Sequence, residues 1–231
     1  MKKIKPIIIF IVLLLGMTFF SYIPMTIFQI DINEMSEQMK ISYMFACDLG
    51  FIIIILVAYR EKVINDTKEF FKKFRSHFKT NLKYYLIGLV AMIFFNLLIS
   101  QLFKNASATN EEMVRSFIKL YPIYMLFSVS VYAPIVEETI FRRSIKDCFK
   151  VFKDNKILKY VYVISSGFIF GAMHIVGSTE LLIDYVYILP YMSLGMALAM
   201  MYNKHENLWD SAFFHALHNL IALGLLLGFG V

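Results

Sequence analysis

The chain has 231 residues, 59% of them hydrophobic and only 17% charged, with a net charge of +6. So low a charged fraction, against roughly 25% in soluble domains, excludes an ordinary water-soluble fold, because 23 Phe, 14 Tyr and 14 Met leave more apolar surface than a chain of this length can bury. The basic residues stand in short stretches between apolar runs, which points to lipid headgroups and membrane orientation and away from nucleic acid.

In chain order, Met1-Lys2-Lys3-Ile4-Lys5 precedes the first apolar run. No small-x-small cleavage site follows, since the chain reads Ser21-Tyr22-Ile23-Pro24, so an uncleaved first span is expected. A span needs about 20 apolar residues. Seven segments come close, at about 7–28, 41–59, 84–103, 120–145, 158–176, 181–202 and 207–229. Pro24 and Pro190 are expected to kink the first and sixth. The expected fold is all-α, a polytopic transmembrane helix bundle of about seven spans in a single membrane domain covering 1–231. Cys47 lies in an apolar run and Cys148 in a basic segment, so neither a disulfide nor a cysteine metal site is expected.

Charge placement supports the count. Segment 60–83 carries Arg60, Lys62, Lys68, Lys72, Lys73, Arg75, Lys79 and Lys83. Segment 142–159 carries Arg142, Arg143, Lys146, Lys150, Lys153, Lys156 and Lys159, and the 203–207 turn adds Lys204. The alternate loops 29–40, 104–119 and 177–180 hold only Lys40, Lys104, Arg115 and Lys119. Seven spans place every basic loop and the N-terminus in the cytoplasm and the C-terminus outside. Phe70, Phe71, Phe74 and Phe78 among the bases of 60–83 suggest an amphipathic helix lying on the inner membrane surface, with His77 part of that surface and given no role.

Ionisable side chains inside a span cost about 3 kcal/mol each on insertion scales and are functional candidates by default. The fourth span reads Ala133-Pro134-Ile135-Val136-Glu137-Glu138-Thr139-Ile140-Phe141-Arg142-Arg143. Glu138 and Arg142 are four apart and share a helix face, where pairing offsets the burial of both. Glu137, turned by about 100°, has no such partner and can face a cavity. The bland alternative makes both acids solvated end charges. The fifth span carries Phe170-Gly171-Ala172-Met173-His174, with Phe170 and His174 on one face and Gly171 and Ala172 permitting close helix approach. The seventh carries His215 and Asn219 on one face and His218 one step round. Either of these could be a hydrogen-bond cluster between helices. Taken together they supply a carboxylate and imidazoles to activate water and donors for an oxyanion, the needs of peptide hydrolysis.

The set Glu137-Glu138-x-x-x-Arg142, Phe170-x-x-x-His174 and His215-x-x-x-Asn219, in that order, resembles the CAAX protease and bacteriocin-processing family, also called CPBP or Abi. The likeness covers roughly 130–222, and the core it implies runs from 120 to 231. It implies an intramembrane endopeptidase in which Glu137 activates water with His174 alongside, His215 and Asn219 stabilise the oxyanion, and Glu138, Arg142 and Phe170 support the site. It also implies membrane-associated peptide or protein substrates, with bacterial relatives linked to bacteriocin maturation and immunity. The Ile-, Lys- and Phe-rich composition looks bacterial, which argues against a prenylated substrate. No cofactor is the preferred reading. A zinc metalloendopeptidase holding its ion with Glu137, His174 and His215 is the alternative, although the His-Glu-x-x-His helix of common zinc proteases is absent.

Arg143 stands where a glycine is common in the family and is expected to snorkel to the interface. Counted along straight helices from the cytoplasmic ends, His174 lies about 10 Å deeper than Glu137 and His215, a gap that helix tilt or a fifth helix starting in the cytoplasm would close. Two non-peptidase readings stay open. A proton or ion transporter would use the same polar groups but shows no repeat or paired broken helices. A membrane scaffold would depend on 60–83 more than on Glu137. Oligomerisation is compatible with Gly195-x-x-x-Ala199 in the sixth span, a small-x-x-x-small pattern.

Overall fold

The structure, a computed structural model, describes residues 4–103, 109–150, 155–176 and 182–228. Lys2, Lys3, Lys104, Lys153 and the loop 177–180 of the charge pattern lie outside them. Nine helices follow one another among the described residues: α1 (Lys5–Phe19), α2 (Tyr22–Phe28), α3 (Glu37–Ala58), α4 (Arg60–Leu102), α5 (Thr109–Leu120), α6 (Pro122–Phe149), α7 (Lys156–Met173), α8 (Ile188–His205) and α9 (Leu208–Gly228). Six are long and apolar enough to cross a membrane, and the bent pair α1–α2 makes up to seven. The chain is a polytopic helical membrane bundle, as its hydropathy pattern predicts.

Local chemistry sets the helix ends. The side chains of Ser36 and Asn155 accept the backbone N–H groups of Met39 and Leu158, capping α3 and α7. The first span breaks between α1 and α2 by 66°. Pro24 has no N–H and belongs in a first helical turn, so the chain restarts a helix at Tyr22 instead of kinking one. Pro190 behaves the same way. It is expected to kink a span but lies in the first turn of α8, after a 3-10 turn over Leu182–Tyr187.

The expected surface helix over 60–83 is not a separate element. It is continuous with the fourth helix, whose 43 residues reach about 65 Å, twice a hydrocarbon core. No Pro stands anywhere in it, and Gly88, one turn past Tyr84, packs against Ala197 without breaking it. Its aromatic stripe packs on α9, with Phe74 edge-on to Phe213 at 5.4 Å and Phe78 against Phe214 at 5.6 Å. Phe71 alone of the four remains largely exposed. The side chain of His77 is buried there too.

Helices α7 and α8 form the closest packed pair. A Cβ on Gly171 would stand 2.8 Å from the Ile188 carbonyl oxygen, and one on Gly195 would stand 2.9 Å from Phe170 and 3.1 Å from Gly167. Gly195 and the fully buried Ala199 therefore serve packing inside this chain, where small residues let backbones meet, and not the contact between copies that their spacing suggests. Gly171→Ala forces backbone against side chain and should lower stability by about 1–3 kcal/mol. Gly224→Ala, with nothing within 4 Å of the new Cβ, should leave stability unchanged or raise it by up to about 1 kcal/mol. Unfolding of the two variants in detergent, followed by circular dichroism, checks both.

Candidate active site

The three motifs meet on α6, α7 and α9. Helix α6 is not regular. Residues Ser128–Tyr132 and Glu138–Ser144 are π-helical, a geometry often found at functional sites. Pro134 explains the first: it cannot donate to the carbonyl four residues back, and the Ala133 N–H instead reaches the Ser128 oxygen five residues back. In the second, the Ser144 hydroxyl donates to the Thr139 carbonyl at 3.1 Å.

Glu138 is fully buried and makes the pairing its spacing predicts: Arg142 Nε donates to Oε2 at 2.9 Å. Its other oxygen, Oε1, lies 3.0 Å from His215 Nδ1. Arg142 is itself fully buried. It donates to Ser166 Oγ at 3.2 Å and lies 4.6 Å over the Phe170 ring. Ser166 Oγ in turn donates to the Phe141 carbonyl at 2.6 Å. Two charges this deep are tolerable only because each is bonded on more than one side.

Glu137 is different. Its side chain is 19% exposed, its Oε2 lies 3.9 Å from His215 Nε2, and that oxygen is buried without a hydrogen-bond partner. His215 therefore stands between the two glutamates, held at Nδ1 by one and facing the other with Nε2.

His174 caps α7. Its Nδ1 lies 2.9 Å from the Phe170 carbonyl, which only accepts, so Nδ1 carries the proton and Nε2 is left as a proton acceptor. Its ring stacks on Tyr191 at 4.5 Å and meets Phe170 at 4.4 Å, while Phe170 meets His215 at 5.7 Å. Two histidines that counting separates in depth thus flank one ring. Asn219 Nδ2 donates to the Val129 carbonyl in the first π-segment at 2.8 Å, leaving one amide hydrogen. His218 points elsewhere, to the Tyr85 hydroxyl at 3.3 Å.

Two partners lay beyond the sequence reading. Ser166, four residues before Phe170 and on its face of α7, had only that spacing to mark it. Arg143 is a correction. It does not snorkel; it is 1% exposed, its guanidinium paired with Asp66 of α4 and its Nε 3.3 Å from the Tyr202 hydroxyl. A counter-charge 77 residues away in sequence removes the reason to reach for water.

The ligand set of the zinc alternative, Glu137, His174 and His215, does not bring its donor atoms within 4.8 Å of one another; among the described residues the group that does so is His77, His205 and Asp210. The hydrogen bond from His215 to Glu138 leaves Nε2 for a metal, and Glu137 Oε2 makes no hydrogen bond, but the His174 donor does not close on them to ligand distance. The three do not form a prepared ligand set.

No curated protein and no solved structure matches the chain. Residues 119–221, which contain all three motifs, are similar to the family whose model is described as type II CAAX prenyl endopeptidase Rce1-like.

Proposed function

We propose that this protein is an intramembrane endopeptidase that hydrolyses a peptide bond of a membrane-associated peptide or protein, using water activated by Glu137. The observation that carries the reading is the partnerless, buried Oε2 of Glu137 beside a histidine fixed from behind by a fully buried Glu138–Arg142 pair. A carboxylate oxygen held without a hydrogen bond, next to an imidazole whose other nitrogen is already bonded, is suited to take a proton from water.

In the proposed reaction, water binds between Glu137 and His174, whose Nε2 accepts. Glu137 removes a proton as the water oxygen attacks the scissile carbonyl carbon. The carbonyl oxygen becomes an oxyanion, faced by the remaining amide hydrogen of Asn219 and by His215. With Glu138 against Nδ1, an imidazolium at His215 has its charge balanced, so Nε2–H can also donate. Collapse of the tetrahedral intermediate returns the proton from Glu137 to the leaving amine. Every atom is accounted for by the peptide and one water. The core runs from 120 to 231, the N-terminus is cytoplasmic and the C-terminus outside, and the site lies toward the cytoplasmic face by the basic-loop pattern.

The test is cleavage of a library of membrane-anchored peptides by the purified protein and its Glu137→Ala variant, each with and without a chelator. Cleavage that disappears in the variant and survives the chelator supports activated water. Cleavage abolished by chelator and restored by zinc overturns it in favour of the metal reading. A variant that cleaves as the parent does removes Glu137 from the reaction.

A further inference from the structure

Away from the candidate active site, α4, α8 and α9 bring two histidines and a carboxylate together. His77 comes from the basic half of α4, His205 is the last residue of α8, and Asp210 lies in the first turn of α9. One donor atom from each lies within 4.8 Å of the other two. Asp210 is 1% exposed and His77 9%.

The local bonds are incomplete without a ligand. His77 Nδ1 lies 2.8 Å from Asp210 Oδ2, and Asn81 Nδ2 donates to Asp210 Oδ1 at 2.8 Å. The rings of His77 and His205 stack at 3.7 Å and 13°. An ion pair of His77 with Asp210 accounts for those two residues. It does not account for His205 Nε2, which is buried with no hydrogen-bond partner, nor for Asn81 Oδ1, buried and equally unpartnered. Two orphan polar atoms beside a buried carboxylate are what a bound cation resolves: it takes the imidazole lone pair, neutralises the acid and accepts a carbonyl oxygen.

We propose that His77, His205 and Asp210 form a divalent transition-metal site of the zinc class, with Asn81 Oδ1 as a fourth ligand or as a hydrogen-bonded neighbour of one. Two imidazoles and one carboxylate are ligands zinc takes in tetrahedral sites, with a fourth position left over. Stacked rings cannot both aim lone pairs at one ion, so binding turns the His205 ring and draws the donors from within 4.8 Å to the roughly 3.3 Å edges that bonds of 2.0–2.1 Å require. The half-buried His205, at a helix end, has the freedom for that turn.

The site is structural. Glu206, in the left-handed region at φ 49°, reverses the chain after His205, and Asn207 Oδ1 caps α9 by accepting the Trp209 N–H at 2.9 Å. The turn is clasped to α4 by Leu208 N donating to Asp66 Oδ2 at 3.0 Å and Trp209 Nε1 donating to Thr67 Oγ1 at 2.8 Å. A metal would lock this clasp five residues before His215 on the same helix. It touches none of Glu137, His174, His215 or Asn219.

The experiment is zinc titration of the tag-free, metal-stripped full chain in detergent against a chromophoric chelator, with cobalt absorption as a spectroscopic check. The expected result is one equivalent per chain, tetrahedral cobalt bands, and a higher unfolding midpoint with zinc. His205→Gln, its fold confirmed by circular dichroism, should weaken zinc binding by about 100-fold or more, since even outer-shell losses cost 10–100-fold. Glu137→Ala should bind as the parent does. No stoichiometric uptake by the parent overturns the proposal. So does uptake that His205→Gln leaves intact, and uptake that Glu137→Ala abolishes would place the ion in the catalytic cluster instead.

Discussion

Glu137→Gln should lower kcat on a membrane-anchored peptide by about 10²–10⁴-fold, the usual contribution of a general base, while KM and the unfolding midpoint stay near the parent's. The amide has the shape of the carboxylate and loses only the ability to take a proton. Stability should hold because Glu137 Oε2 makes no hydrogen bond that the amide would lose, whereas replacing Glu138 would remove bonds to both Arg142 and His215. Equal KM with a depressed kcat is the signature of an interaction used in the transition state alone. A scaffold or an ion relay predicts otherwise: the first would keep its biological effect in the variant, and the second has no peptide to cleave. Single-turnover kinetics on a peptide already shown to be cut separates binding from chemistry, and an unchanged chemical rate would falsify the assignment of Glu137.

Much of this arrangement was legible in the chain because its partners are near in sequence. The spacing of Glu138 and Arg142 predicted their pair, and it persists in the π-helical turn, where Nε still reaches Oε2 at 2.9 Å. Phe170 and His174 share a face as helical spacing requires, with rings 4.4 Å apart. What stayed hidden depends on contacts distant in sequence. Arg143 reads only as a snorkelling base until α4 runs unbroken from Arg60 and places Asp66 against it. The same unbroken helix carries His77 to Asp210, a pairing over 133 residues that no local pattern encodes. The π-segments were missed for another reason. Pro134 marks a lost hydrogen bond, but whether a helix answers with a kink or a widened turn is decided by what packs beside it, here Asn219 bonding to Val129 within the widened turn.

Arg142→Met should cost about 3–5 kcal/mol of stability, because it leaves the Glu138 carboxylate charged, fully buried and short of its cation. Methionine replaces the aliphatic stem but not the guanidinium over Phe170, so the loss combines the stranded charge with a small cavity, and the double-mutant cycle below separates the two. Glu138 is 0% exposed and no water can reach in to compensate. Glu138→Gln alone should also destabilise, stranding the Arg142 guanidinium, whose Nη2 already lacks a partner. The double variant Arg142→Met with Glu138→Gln removes both charges and should recover a large part of the sum, giving a coupling of about 1–3 kcal/mol in a double-mutant cycle. Activity should not recover with it. His215 Nδ1 would face a neutral amide where it had a carboxylate at 3.0 Å, so the imidazolium that donates to the oxyanion loses its counter-charge. Unfolding in detergent and kcat on the same peptide, measured for all four proteins, separate the two roles. Stability and rate that rise together in the double variant would make the pair a packing device only. Stability that returns while kcat stays low makes it the support that holds His215 in place for the reaction.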